Sequence, residues 1–280
     1  MARKIIGFHD LVEGLRGLRI VSRQPVIAHA SLSVAGEIQG GVETALGAML
    51  HVFSTLIMPA FTYKTMLTPQ TGPPDNGIVY GSRADANRMV EFFHPDMPAD
   101  RLMGMIPEAL RRHPQARRSS HPILSFTGVN AGPFLESQRL DEPLAPIRRL
   151  VEAKGWVLLF GVDHTVNTSI HYVERLARRK QFIRWALTPQ GVVECPHFPG
   201  CSDGFNALTP WVEPITRWVK IGEALIRALP LVELVEIACA RIESDPLALL
   251  CDHANCERCQ SVREWTASQI KIREKKVEGI

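Results

Sequence analysis

No cysteine occurs in the first two thirds of this 280-residue chain; the six fall at positions 195, 201, 239, 251, 256 and 259. That distribution is unlike a disulfide framework, so reduced thiols or a metal site are the readings that remain. Long apolar runs are missing too. Even the most hydrophobic C-terminal region is cut by Glu223, Arg227, Glu233 and Glu236, and no run approaches the roughly 18 residues a bilayer span needs. At the N-terminus Arg3 and Lys4 precede only a short apolar patch before His9, Asp10 and Glu13, which is no signal peptide. Nor is charge of one sign in excess. The 32 Lys and Arg residues are spread along the chain against 29 Asp and Glu, and a net charge of +3 is too mild to argue for nucleic acid. There are no internal repeats and no GxGxxG or GxxxxGK[ST] string. These absences leave a soluble, cytoplasmic protein with no nucleic-acid or membrane partner as the expectation, and they leave the oligomeric state open.

What is present suits an ordinary globular protein, with 45% hydrophobic and 22% charged residues and enough length to bury a sizeable core. Arg3 to Gly17 has an amphipathic stripe of Ile5, Ile6, Leu11, Val12 and Leu15. Next comes a strand, VIAHASLS, then a glycine-containing loop and the helical run GVETALGAML. The amides of such a loop and helix start can hold an anion, although the glycines can equally serve only to shape a turn. STLIMPAFTY reads as a strand ending at Pro59, and Thr68 to Gly81 as a surface loop. A helix follows through MGMIPEALRRH. Arg117, Arg118, Ser119, Ser120 and His121 form a basic, hydroxylic cluster before a strand from Ile123 to Val129. Leu144 to Lys154 is helical, 181 to 219 strand- and loop-like, and Gly222 to Ile242 an amphipathic helix that Pro230 divides. Strands alternating with helices predict an α/β fold with a mixed central sheet flanked by helices, in a single large domain over 1–280 with a Cys-rich segment at 251–259 and a charged tail at 266–280.

Two constellations carry chemistry. In GWVLLFGVDHTVNTSIHYVE (155 to 174) a buried strand runs into a polar turn and a helix opening at Thr168 or Ser169, with His164 and His171 flanking the turn. Such a junction lifts side chains to the rim of a sheet, where α/β proteins keep their ligand crevice. In the first turn of that helix the dipole disfavours imidazolium, which suits His171 to a general base if a carboxylate or amide orients its other nitrogen. Asp163, Glu174, Asp203 and Asn206 are candidate orienters, and the catalytic set as read is His171, His164, Asp203 and Asn206. The second constellation is CDHANCERC, where Cys251, His253, Cys256 and Cys259 supply four tetrahedral ligands within nine residues. A structural zinc and free thiols both fit it, and Cys195, His197 or Cys201 could replace one ligand.

With these residues in view, the chain resembles the antibiotic N-acetyltransferase family, whose best-known members are aminoglycoside 3-N-acetyltransferases. The blocks that carry the resemblance are HASLSVAGEIQGGVETAL (29 to 46), STLIMPAFTY (54 to 63), RLMGMIPEALRRHPQARRSSHPILSF (101 to 126), EPLAPI (142 to 147) and VLLFGVDHTVNTSIHYVE (157 to 174). The resemblance implies direct acetyl transfer from acetyl-CoA to a small-molecule amine, without an acyl-enzyme. His171 stands at the family's TSxH position as the base. His29, Ser31, Leu32, Ser33 and Gly41 would line the cofactor, with Thr62, Arg118 and Ser119 nearby; Arg118, Ser119, His121 and Pro122 match the family's RSxHP. A polycationic acceptor should meet clustered carboxylates, for which Asp75, Asp85, Glu91, Asp203 and Glu213 are candidates. The Cys-rich C-terminus departs from the family pattern, and the alternative it raises is a zinc-binding scaffold that keeps the fold without catalysis.

Overall fold

The computed structural model describes residues 5–81 and 87–278, with 273–278 as backbone alone. The chain opens with α1 (Phe8–Gly17), β1 (Val26–Ala30), α2 (Gly41–Val52), β2 (Leu56–Pro59) and β3 (Met66–Leu67). A long irregular stretch leads to α3 (Met105–Arg112), β4 (Ala116–Arg118), β5 (Phe126–Val129), α4 (Gly132–Leu135) and α5 (Ala145–Glu152). Then come β6 (Trp156–Phe160), α6 (Thr168–Leu176) and the hairpin of β7 (Phe182–Thr188) and β8 (Gly191–Phe198). The last elements are α7 (Thr209–Val212), β9 (Arg217–Ile221), β10 (Ala224–Pro230), α8 (Leu231–Ser244) and α9 (Glu257–Glu278).

Seven strands form one mixed sheet in the order β4-β5-β2-β1-β6-β10-β9, and β3-β7-β8 form a smaller one. Within the large sheet β1 lies parallel to β2 and β6, while every other pairing is antiparallel. This is the mixed, helix-flanked sheet the alternating pattern predicts. Strand β6 is apolar at every position because it is covered on both faces. Its Leu158 and Phe160 pack with Leu11, Met49 and Phe53 from α1 and the α2 region. Its Val157 and Leu159 pack instead with Ile147, Ile170, Val173 and Leu234 of α5, α6 and α8. None of these side chains exceeds 1% exposure, and fully burying each contributes about 1.5–3 kcal/mol. The centre of the sheet is therefore a rigid base for whatever stands at its strand ends.

One expectation fails. The run from Gly222 to Ile242 is not one divided helix, because β10 occupies its first third and pairs antiparallel with β6, Ala228 opposite Leu158. Alternate residues of β10 are buried, and a short apolar run of this kind fits a strand period as well as a helical one. The edge partner β9, on the far side of the Gly222 turn, decides between them. Only Leu231–Ser244, beyond Pro230, is helical. The charged tail, over its described part, is the continuation of α9. No helix among the described residues is long and apolar enough to cross a membrane.

Candidate active site

The parallel strands β1 and β6 end side by side, with Ala30 opposite Phe160. Chain leaving those ends forms a cavity of about 1030 Å³. Gly161 makes the junction compact. At φ +65° it turns the chain out of β6, and a Cβ there would meet Val34 Cγ2 at 2.3 Å and the Ser31 carbonyl at 2.9 Å, so no larger residue fits. The loop carrying Ser31, Leu32 and Ser33 can thus lie across the end of β6, where those three side chains and His29 line the cavity. Arg101 to Pro107, leading into α3, and Phe198 to Gly200, at and beyond the end of β8, also line it.

His171 faces this cavity from the first turn of α6. The helix is capped by the Asn167 side chain, which accepts from Ser169 N–H, so the cap lies one residue before Thr168. His171 Nδ1 is 2.8 Å from Glu174 Oε2, and the Phe205 ring packs edge-on at 4.8 Å between centroids. Glu174 is buried, and its other oxygen accepts from Arg179 Nη1 at 2.9 Å. Arg179, equally buried, donates through Nη2 to the carbonyls of Pro246 (2.9 Å) and Ala248 (2.6 Å). A carboxylate accepting the Nδ1–H fixes the tautomer whose Nε2 lone pair is free. The carboxylate that meets His171 is Glu174, three residues along the same helix face, whereas Asn206 bonds the His164 turn and Asp203 lies near His253.

The other histidines divide by position. His29, next to last in β1, lines the cavity with its Nε2 buried and without a hydrogen-bond partner among the described residues. Burial first, then the fields of His164 and His171, pulls its pKa from 6.5 down to about 3, so it is neutral. His164 does not line the cavity. It borders a separate depression of about 260 Å³ with Asp163, Asn206, Thr209 and Arg227. Its Nδ1 is 3.3 Å from Asn167 Nδ2, and burial followed by Arg227 lowers its pKa to about 4. Asn206 accepts from the His164 backbone N–H at 3.0 Å and donates to Asp163 at 2.7 Å, so it ties down the turn before α6.

The basic, hydroxylic block is architecture. Arg118 donates to Ser125 Oγ and to the carbonyls of Ala60, Pro95 and Met97, and lies over the Phe93 ring. The Ser119 hydroxyl accepts from Phe126 N–H at 2.8 Å, and Thr62 donates to the Pro122 carbonyl at 2.7 Å. His121 Nδ1 accepts from both Ile123 and Leu124 N–H. With their polar groups engaged, Thr62, Arg118 and Ser119 stand outside the cavity lining, as does Gly41 at the start of α2. Sequence reasoning missed Tyr63, Arg101, Arg184 and Arg258, which do line it. Burial pushes the Tyr63 hydroxyl up to about 12, leaving it a donor. Of the candidate acceptor carboxylates only Asp203 lines the cavity among the described residues, and Asp85 lies outside those residues.

The cysteines assemble differently from their spacing. Cys201, not His253, joins Cys251, Cys256 and Cys259, and all four sulfurs lie within 4.8 Å of one another. His253 turns outward, its Nε2 3.8 Å from an Asp203 carboxylate oxygen. Cys195 stands apart, and burial pushes its thiol up to about 12, which removes it as a nucleophile.

A family model described as aminoglycoside 3-N-acetyltransferase, for the antibiotic N-acetyltransferase family, matches residues 27–243. The chain belongs to this family. Aminoglycoside N(3)-acetyltransferase IX of Micromonospora chalcea is 33% identical over 190 residues, covering 63% of this chain and 64% of that protein, so the match spans less than two thirds of the relative. Among solved structures, the apoenzyme of aminoglycoside acetyltransferase AAC(3)-IVa has a TM-score of 0.77 at 23% identity, over 94% of this chain and 99% of that one. The binary complex of AAC-IIIb with CoASH has a TM-score of 0.69 at 22% identity, over 86% and 97%. Both confirm the acetyltransferase fold.

Proposed function

We propose that this protein transfers the acetyl group of acetyl-CoA directly to an amine of a small-molecule acceptor, with His171 as the general base. The observation that carries the reading is the His171–Glu174 pair at the cavity wall. Glu174 holds Nδ1–H, so Nε2 accepts the proton of the attacking amine as the C–N bond forms at the thioester carbon. The C–S bond then breaks and the CoA thiolate leaves, to be protonated in turn. Support for the co-substrate comes from the AAC-IIIb structure solved with CoASH and from the size of the cavity, which suits a large ligand. Ser31 to Ser33, Arg101 and the opening of α3 offer hydroxyls, a cation and free amides for a pantetheine chain and its phosphates.

Aminoglycosides are the first acceptors to test, from the names of the relatives. The lining favours a second reading of the acceptor within the same reaction: among the described residues Arg101, Arg184 and Arg258 line the cavity with one acid, Asp203, which suits an amine bearing few positive charges or an anionic group. Thiol release measured over a panel of aminoglycosides, polyamines and amino acids separates the two. His171→Ala should abolish release with CoA binding retained. Normal turnover by that variant would remove His171 from the mechanism.

A further inference from the structure

We propose that Cys201, Cys251, Cys256 and Cys259 form a four-thiolate zinc site, and that this site holds the 245–256 segment against the Glu174–Arg179 pair beneath His171. Three parts of the chain converge on it. Cys201 follows β8, Cys251 lies in the segment between α8 and α9, and Cys256 and Cys259 flank the start of α9 at C-x2-C spacing. Tetrahedral zinc with bonds near 2.3 Å sets sulfurs about 3.8 Å apart, which the observed grouping within 4.8 Å accommodates after slight contraction. Cys201, Cys251 and Cys259 are at most 4% exposed, and their packing cluster consists of sulfur with Leu250. Buried thiolates so grouped are soft ligands that select zinc over hard cations. The Asp203 N–H, 3.5 Å from Cys201 Sγ, supplies outer-sphere support.

The neighbourhood gives the site its purpose. The 245–256 segment has no regular structure, and Leu249 holds φ +65°. It approaches the 204 turn so closely that a Cβ on Gly204 would lie 2.5 Å from the Leu249 carbonyl oxygen. Its Pro246 and Ala248 carbonyls accept from Arg179 Nη2. From the same region Arg258 crosses to the Gly200 carbonyl at 2.9 Å and lines the cavity. A metal at Cys251 anchors this segment three residues beyond Ala248. With all four positions taken by sulfur the ion has no open site, so it serves structure and not the acetyl transfer.

Elemental analysis of the full chain, purified without chelator, should give about one zinc per chain. Cys259→Ser should lose it, while His253→Ala and Cys195→Ser keep it. Should Cys259→Ser fail to fold, cobalt(II) exchanged into the parent protein decides, through the thiolate charge-transfer band and the intense visible bands of a tetrahedral site. A parent chain that holds no stoichiometric zinc and takes up no cobalt overturns the site, as does zinc that survives Cys259→Ser but not His253→Ala. The structural role has its own readout: removing zinc should speed amide hydrogen exchange across 245–250, and unchanged exchange there refutes it.

Discussion

Replacing Glu174 by glutamine tests the centre of the site with almost no change of shape. The carboxylate accepts from His171 Nδ1 at 2.8 Å and from Arg179 at 2.9 Å, with both Glu174 and Arg179 side chains 2% exposed. In Glu174→Gln the amide oxygen can still accept from Arg179, which turns the amide nitrogen toward His171. That nitrogen only donates, so Nδ1 must accept and the proton moves to Nε2, where the base needs a lone pair. The same inversion of tautomer in serine-protease triads lowers kcat by roughly 10⁴, a barrier increase of about 5 kcal/mol. Stability should fall by about 3 kcal/mol, the lower end for breaking a buried pair, because Pro246 and Ala248 still serve Arg179. kcat from CoA thiol release and urea midpoints measure the two quantities, and a CoA-binding titration should show binding retained. The double variant Glu174→Gln with Arg179→Met separates structure from chemistry: it should regain stability and leave kcat low. A folded Glu174→Gln enzyme with kcat within about tenfold of the parent would refute the orienting role.

Two further outcomes follow from the buried histidines. His29 and His121 have folded pKa values of about 3 and about 4 against 6.5 when free, both mainly through burial, so the unfolded chain binds more protons below pH 6.5. Stability is full above pH 6.5 and should decline as the pH falls toward 4, by about 2–3 kcal/mol for each group at pH 4.5; His121→Asn, which can still accept the Ile123 and Leu124 amides, should flatten the slope of urea midpoint against pH. His29→Leu removes a ring at the cavity wall whose Nε2 has no partner among the described residues. Its fold should remain within about 1 kcal/mol of the parent, while the KM for acetyl-CoA rises if that nitrogen meets the co-substrate; an unchanged KM would assign His29 to packing.

How much of this was legible depends on how local the determining contacts are. The apolar run of β6 and the position of His171 at a strand-to-helix junction are local, and both are found where the pattern puts them. Glu174 was legible too, since residues three apart on a helix share a face, but the spacing alone gave it no advantage over Asp163, Asp203 or Asn206. Arg118 shows the opposite case. Its charge and its serine neighbour suggest an anion site, yet it is absorbed by carbonyls of residues 60, 95 and 97, which only the tertiary fold brings to it. The same holds for Cys201, fifty residues from Cys251: the sequence offers it only beside Cys195 and His197 as a replacement ligand, and the fold selects it. Beside it, His253 has the right residue type and spacing but stands in solvent, 73% exposed.

The pair beneath His171 also bears on why this chain keeps a buried ion pair at all. Such pairs are poor sources of stability, because taking two charges out of water offsets most of their attraction and well-packed apolar residues often serve as well. On those grounds alone Glu174 and Arg179 could be exchanged for well-packed apolar residues of similar volume. What no apolar pair could do is accept the imidazole N–H. Arg179 is then required by Glu174, whose charge would otherwise stand unpaired in the interior, and the Pro246 and Ala248 carbonyls are required by Arg179. Each link exists to satisfy the one above it. On the proposed mechanism the demand starts at the His171 ring, and it ends in the irregular 245–256 segment, which the proposed zinc site would hold in place.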